Sequence, residues 1–126
     1  MAAFCFHGDK MKLNEFLKKL HETPDSVCFN DTISVIDAHY DFTPTAFSNG
    51  AARNEAGQNN GSCKLFSFAK LHGLSQQQTL TCFGDYYRKD VLGHPDNTDH
   101  ANIRNFMKTG WEGISFEAEA LAPKGT

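Results

Sequence analysis

The chain has 126 residues, 40% of them hydrophobic, enough for one domain with a packed core and too apolar for a disordered tail. Twelve Lys plus Arg against fifteen Asp plus Glu leave a formal charge of -3, which excludes a nucleic-acid-coating protein and a polybasic membrane binder. No stretch approaches the ~18 successive apolar residues of a membrane helix.

The opening Met1 to Phe6 is apolar, but it lacks a basic flank and is interrupted by His7, Gly8, Asp9 and Lys10, so no secretory signal is expected. Leu13, Phe16, Leu17 and Leu20 recur at helical spacing and predict a first helix over 12–20, with Asp9 as its N-cap and Pro24 beyond its end. A second helix is predicted from Asn30, with Ile33, Ile36 and Tyr40 inward and a break before Pro44. Residues 43–48 read as a strand, Asn49-Gly50 as a hairpin turn and 51–55 as a short return strand. After the loop 57–61, Ser62 is expected to cap a helix over 63–72 that stops at Gly73.

Ser75-Gln76-Gln77-Gln78 is a capping-box pattern and opens a predicted helix reaching Leu92, with Leu80, Phe83, Tyr87 and Val91 on one face. Asp96 or Thr98 should cap a further helix carrying Ile103, Phe106 and Met107 and ending at Gly110. Residues 114–120 alternate apolar and polar, the period of a half-buried strand. The expected architecture is a single α+β domain of about five helices on a small antiparallel sheet, made by the hairpin near 43–55 and a C-terminal strand near 112–121 that pairs with 43–48. Trp111 is expected to anchor that strand in the core, its indole N–H meeting a backbone carbonyl.

Chemistry is concentrated in Asn49 to Lys64, where amides and glycines lead into a helix start. Free N–H groups and the helix dipole there can receive an anion, so Asn54, Gln58, Asn59, Asn60, Ser62 and Lys64, with Arg88 and Arg104, are the candidate ligand-binding residues. Gly57 and Gly61 enclose three residues and precede Ser-Cys-Lys, so the segment is no Walker A loop. The same residues also suit a tight turn that binds nothing. Cys63 at that helix start would need His39, His72 or His100 as a base, oriented by Asn59 or Asn102, to serve as a nucleophile; a small core residue is the plainer reading. His94, Asp96, Asp99 and His100 are possible metal ligands without a recognised metal pattern. Tyr86, Tyr87, Arg88, Arg104 and Trp111 could form a polar-aromatic pocket. Cys5, Cys28, Cys63 and Cys82 are widely spaced with no CxxC pair, and four free thiols are expected. No catalytic residue, cofactor or metal is assigned.

The blocks Tyr40-Asp41-Phe42-Thr43-Pro44-Thr45-Ala46-Phe47-Ser48-Asn49-Gly50, Asn54 through Lys64, Cys82-Phe83-Gly84-Asp85-Tyr86-Tyr87-Arg88 and His100 through Phe106 resemble the HopJ type III effector family over about 13–121. The resemblance implies a small bacterial protein and carries no catalytic residue, cofactor or partner with it. The expected function is therefore a non-enzymatic cytoplasmic binding protein that takes a small anionic ligand or a protein partner at the Asn-rich loop. Nucleic acid and membrane are not expected as partners. The alternatives are a type III secreted effector acting on a host target and a cysteine-dependent enzyme.

Overall fold

The computed structural model describes residues 12–124; the expectations for Met1 to Phe6, Cys5 and the Asp9 cap lie outside them. Helix α1 (Leu13–Glu22) buries Phe16 and Leu20, and Pro24–Ser26 adds a 3-10 turn. Helix α2 (Phe29–His39) buries Val35 and Ile36 and also Asp31, whose carboxylate accepts from the Cys28 N–H and pairs with Lys19 at 3.0 Å. The chain leaves α2 directly into β1 (Tyr40–Phe42), so Tyr40 is buried from a strand and not from the helix.

The strand expected over 43–48 is shorter and later. Strand β2 (Phe47–Asn49) turns through Gly50, at φ 60°, into β3 (Ala52–Asn54). Its other edge takes β4 (Ile114–Phe116) antiparallel, with Phe47 opposite Phe116 and Ser48 opposite Ser115. The expected pairing of the C-terminal strand with the hairpin is thus present, but the strand does not run on to 120. Residues 117–120 cross to a second sheet, where β5 (Leu121–Pro123) pairs with β1. The molecule is α+β, as expected, with two small antiparallel sheets in place of one. Hydrogen bonds from Glu117 N to Ala46 O and from Thr43 N to Ala120 O bind the two crossing segments together. Pro44 lies between them with no N–H to give, which separates β1 from β2.

Helix α3 (Asn60–Leu71) runs through the centre and buries Cys63, Leu65, Phe66, Phe68 and Ala69. Phe66 packs with Phe47, Phe83, Phe106 and Trp111 at ring-centroid separations of 4.9–6.5 Å. Its N-cap is Asn59, in the left-handed region at φ 53°, because the Asn59 carbonyl already accepts from Cys63 N. Ser62 therefore sits inside the first turn, which corrects the expected cap. The correction reverses the order of two substitutions. Ser62→Ala should leave stability unchanged or raise it by a few tenths of a kcal/mol, and Ser62→Gly should lower it by about 0.5 kcal/mol, since Ala exceeds Ser and Ser exceeds Gly inside a helix. Urea denaturation of the two variants checks the order; a capping serine would give a larger loss for Ala than for Gly.

Ser75 caps α4 (Gln76–Thr81) as expected, its hydroxyl accepting from Gln78 N while Gln78 Oε1 accepts from Ser75 N. The helix does not continue to Leu92. It breaks at Gly84, at φ 62°, and resumes as a π-helical stretch, Tyr86–Val91. A Cβ on Gly84 would lie 2.7 Å from Phe29 N and 3.1 Å from Cys28 Cα, so the break lets the start of α2 approach this chain closely. Helix α5 (Ala101–Thr109) is opened by His100, at φ 52°, and not by Asp96 or Thr98, and it ends at Gly110. Trp111 follows in a 3-10 turn (Gly110–Gly113) and donates its indole N–H to Leu74 O at 3.0 Å, as expected, but it is half-buried against the edge of the core and not inside it.

Candidate functional site

The starts of α3 and α5 meet at one cleft. It encloses about 360 Å³ and is lined by Asn59, Gly61 and Ser62 from α3, by His100, Ala101, Asn102 and Ile103 from α5, and by Phe29, Phe83 and Tyr86. The volume is at the small end of ligand-binding clefts. Phe29 and Phe83 stack at 6.2 Å and 10°, and Tyr86 meets the Phe29 ring edge-on. Gly61 is required for this wall, because a Cβ there would come within 2.9 Å of Phe29 Cζ.

An amide network behind the cleft fixes the two helix starts. Asn102 Nδ2 donates to Asn54 Oδ1 at 3.0 Å, and Asn102 Oδ1 accepts from Asn49 and Asn54 at 3.0 and 3.2 Å. Asn59 Nδ2 completes the ring by donating to Asn54 Oδ1 at 2.7 Å. Asn49, Asn54 and Asn102 are buried, and Asn49 Nδ2 also donates to the Asn102 carbonyl. The hairpin, α3 and α5 are joined by this network, whose bonds gain strength from the low dielectric around them.

Neither helix start is closed by a cap. The side chains of Asn59 and His100 make no capping hydrogen bond, and while the Ile103 N–H is taken by the His100 carbonyl at 3.0 Å, the N–H groups of Asn60, Gly61 and Ser62 in α3 and of Ala101 and Asn102 in α5 lie ahead of the first intrahelical acceptor. With both dipole ends at the cleft, the site favours negative charge. His100 adds a ring donor at the rim. Its Nε2 donates to Asp90 Oδ2 at 3.0 Å, its ring lies 5.2 Å from Tyr86 at 32°, and Asp99 Oδ2 is 3.8 Å away.

The eight candidate residues separate into three groups. Asn59 and Ser62 line the cleft. Asn54 stands behind it in the amide network, while Gln58 Oε1 accepts from Glu55 N and Asn60 is exposed beside it. Lys64, Arg88 and Arg104 are committed elsewhere. Lys64 pairs with Asp37 at 2.9 Å and covers the Phe42 ring. Arg88 donates to Val27 O at 2.6 Å and to Pro24 O. Arg104 donates to Asp99 and Pro95, bracing the loop before α5, and its hydrogen bond holds the exposed Asp99 carboxyl below its ordinary value. Phe29 and Phe83 carry no polar signal in the sequence, where Phe83 reads only as part of an apolar helix face.

The cysteine and metal alternatives find little geometry. Cys63 is buried, its thiol donates to Thr45 O at 3.4 Å, and burial raises its pKa; a reactive thiolate needs the opposite shift. His72 Nε2 is engaged by the Tyr40 hydroxyl at 2.7 Å and His100 by Asp90. Cys82 is free and buried, with its pKa pushed up to about 12 by desolvation. Cys28 is disulfide-bonded, which corrects the free-thiol expectation at that position. Among the described residues, no group of three His, Cys, Asp or Glu side chains is placed to hold one metal ion, and no helix is long and apolar enough to cross a membrane.

No curated protein matches the chain. A crystal structure described as that of the unknown-function protein VPA0580 is 54% identical, with a TM-score of 0.90 over 95% of this chain and 100% of that one. The profile of the HopJ type III effector protein family matches residues 13–121, which include both helix starts, the amide network and every cleft residue, and the chain therefore belongs to that family.

Proposed function

We propose that the protein is a non-enzymatic small-molecule-binding protein, and that the cleft between α3 and α5 takes a flat ring bearing an anionic group, phosphate above all. The observation that carries this reading is the convergence of two uncapped helix starts on one aromatic-walled cleft. The free N–H groups would receive the anion, and Phe29, Phe83 and Tyr86 would take the ring. The inward commitment of Lys64, Arg88 and Arg104 supports recognition by backbone donors in place of a basic patch.

A ligand that binds only the folded state raises the melting temperature by mass action. Phenyl phosphate and nucleoside monophosphates at millimolar concentration should do so, and benzyl alcohol should not. No rise with any of the phosphates would remove the reading.

The family description favours a second reading, an effector delivered by a type III system. A translocation reporter fused to residues 1–50 tests it: secretion-dependent delivery supports export, and retention in the bacterium removes it.

A further inference from the structure

The chain holds two Asn-Gly pairs, Asn49-Gly50 and Asn60-Gly61. In such a pair the asparagine side chain is open to attack by its own backbone, because glycine has no Cβ to hinder the approach of its nitrogen to the amide carbon. Three things block that attack in a folded protein: burial of the amide, hydrogen bonds that hold the amide in place, and an acceptor that occupies the glycine N–H. The fold imposes all three on one pair and none on the other.

Asn49 is fully buried, its Nδ2 donates to the Asn102 carbonyl and to Asn102 Oδ1, and the Gly50 N–H is given to Gly113 O at 2.9 Å. Asn60 is exposed, and its side chain makes no hydrogen bond to a described residue. The Gly61 N–H lies ahead of the first intrahelical acceptor of α3 and meets no other acceptor among the described residues. Asn60 is also the first residue of α3, next to a cap residue whose side chain makes no capping bond. Helix ends open more readily than helix centres, which frees the backbone rotation that the attack needs.

We propose that Asn60 is a self-modification site, a deamidation centre whose product weakens anion binding in the cleft between α3 and α5. The Gly61 nitrogen gives up its proton to base and bonds to Asn60 Cγ; the Cγ–Nδ2 bond breaks and the side-chain nitrogen leaves as ammonia. Water then opens the cyclic imide at either carbonyl, to aspartate or to isoaspartate, so amide and water become acid and ammonia with no oxidant or reductant. Position 60 stands between Asn59 and Gly61, which both line the cleft. The new carboxylate therefore lies at the start of α3 and competes with a bound anion for the same dipole end and N–H groups. The effect on binding rests on the anion-binding reading of the cleft; the chemistry at Asn60 does not.

The test is peptide mass mapping of the full chain held folded in mildly alkaline buffer, with the chain in urea as the reference. The folded protein should convert the Asn60 amide at least roughly tenfold faster than the Asn49 amide, and urea should bring the two rates together. Asn60→Gln, whose ring closure would need one more methylene, should stop the conversion at 60. Equal rates at the two pairs in the folded protein, or an Asn60 amide that survives folding while urea converts both, would overturn the proposal. Asn60→Asp places the charge without altering the backbone at an exposed position, and it should bind phenyl phosphate roughly tenfold more weakly than the unmodified protein while binding phenol equally. Unchanged affinity for phenyl phosphate would overturn the control of the cleft. A failure of the unmodified protein to bind phenyl phosphate would instead remove the cleft reading, and the mass map alone would then decide the modification site.

Discussion

Gly84→Ala should cost about 2–6 kcal/mol and shift the denaturation midpoint accordingly. Two independent penalties act there. The residue sits at φ 62°, where a side chain adds roughly 1–3 kcal/mol of backbone strain. A Cβ would also lie 2.7 Å from Phe29 N and 3.1 Å from Cys28 Cα, and pushing backbone apart in a packed region adds about 1–3 kcal/mol. Gly73 separates the two, since it has φ 61° and open space for 4 Å around the place a Cβ would take. Gly73→Ala should therefore show the strain alone and Gly84→Ala the strain plus the clash. Equal losses in urea denaturation would place the whole effect in backbone conformation. The same displacement moves Phe29, so Gly84→Ala should weaken cleft binding even where the protein remains folded.

Trp111→Ala should cost about 3–5 kcal/mol, a large share of a small domain's stability. The indole packs edge-on against Phe106 at 5.1 Å and against Phe66 at 6.5 Å, which connects the end of α5 to the centre of α3. Its N–H satisfies Leu74 O where the chain leaves α3. Trp111→Phe keeps part of the packing and loses that bond, so it should cost about 1–3 kcal/mol. Emission from the single tryptophan should be blue-shifted and poorly quenched by iodide. Red-shifted, readily quenched emission with near-normal stability of Trp111→Ala would mean that the ring is a surface group.

The helices with a strong apolar period are legible in the sequence. In α1 the spacing of Leu13, Phe16, Leu17 and Leu20 coincides with the buried face, and the Ser75 capping box is readable because both of its partners are local. Periodicity misses the interruptions. Gly84 and the crossing at 117–120 are dictated by distant neighbours, the start of α2 in one case and Ala46 and Thr43 in the other. The left-handed caps at Asn59 and His100 are held by nearer partners, Asn54 and Asp90, that no helical or strand period marks.

The site is legible in part for the same reason. A loop of Asn and Gly before a helix marks one of the two converging helix starts, but nothing in Asn49 to Lys64 announces that His100 and Ala101 complete the cleft. Charge alone makes any basic residue resemble an anion ligand. The fold instead places Lys64 and Arg88 on partners that sequence distance hides, Asp37 and the Val27 carbonyl, and turns Arg104 back onto the loop before α5.

The most direct test of the binding account is an amide NMR titration with phenyl phosphate, with phenol and inorganic phosphate titrated separately. The account predicts that phenyl phosphate shifts Gly61, Ser62, Ala101 and Asn102 together, saturably and with one dissociation constant, and that each half-ligand binds the same amides more weakly. Shifts confined to one helix start, or to Lys64, Arg88 and Arg104 with the cleft amides unmoved, would contradict it.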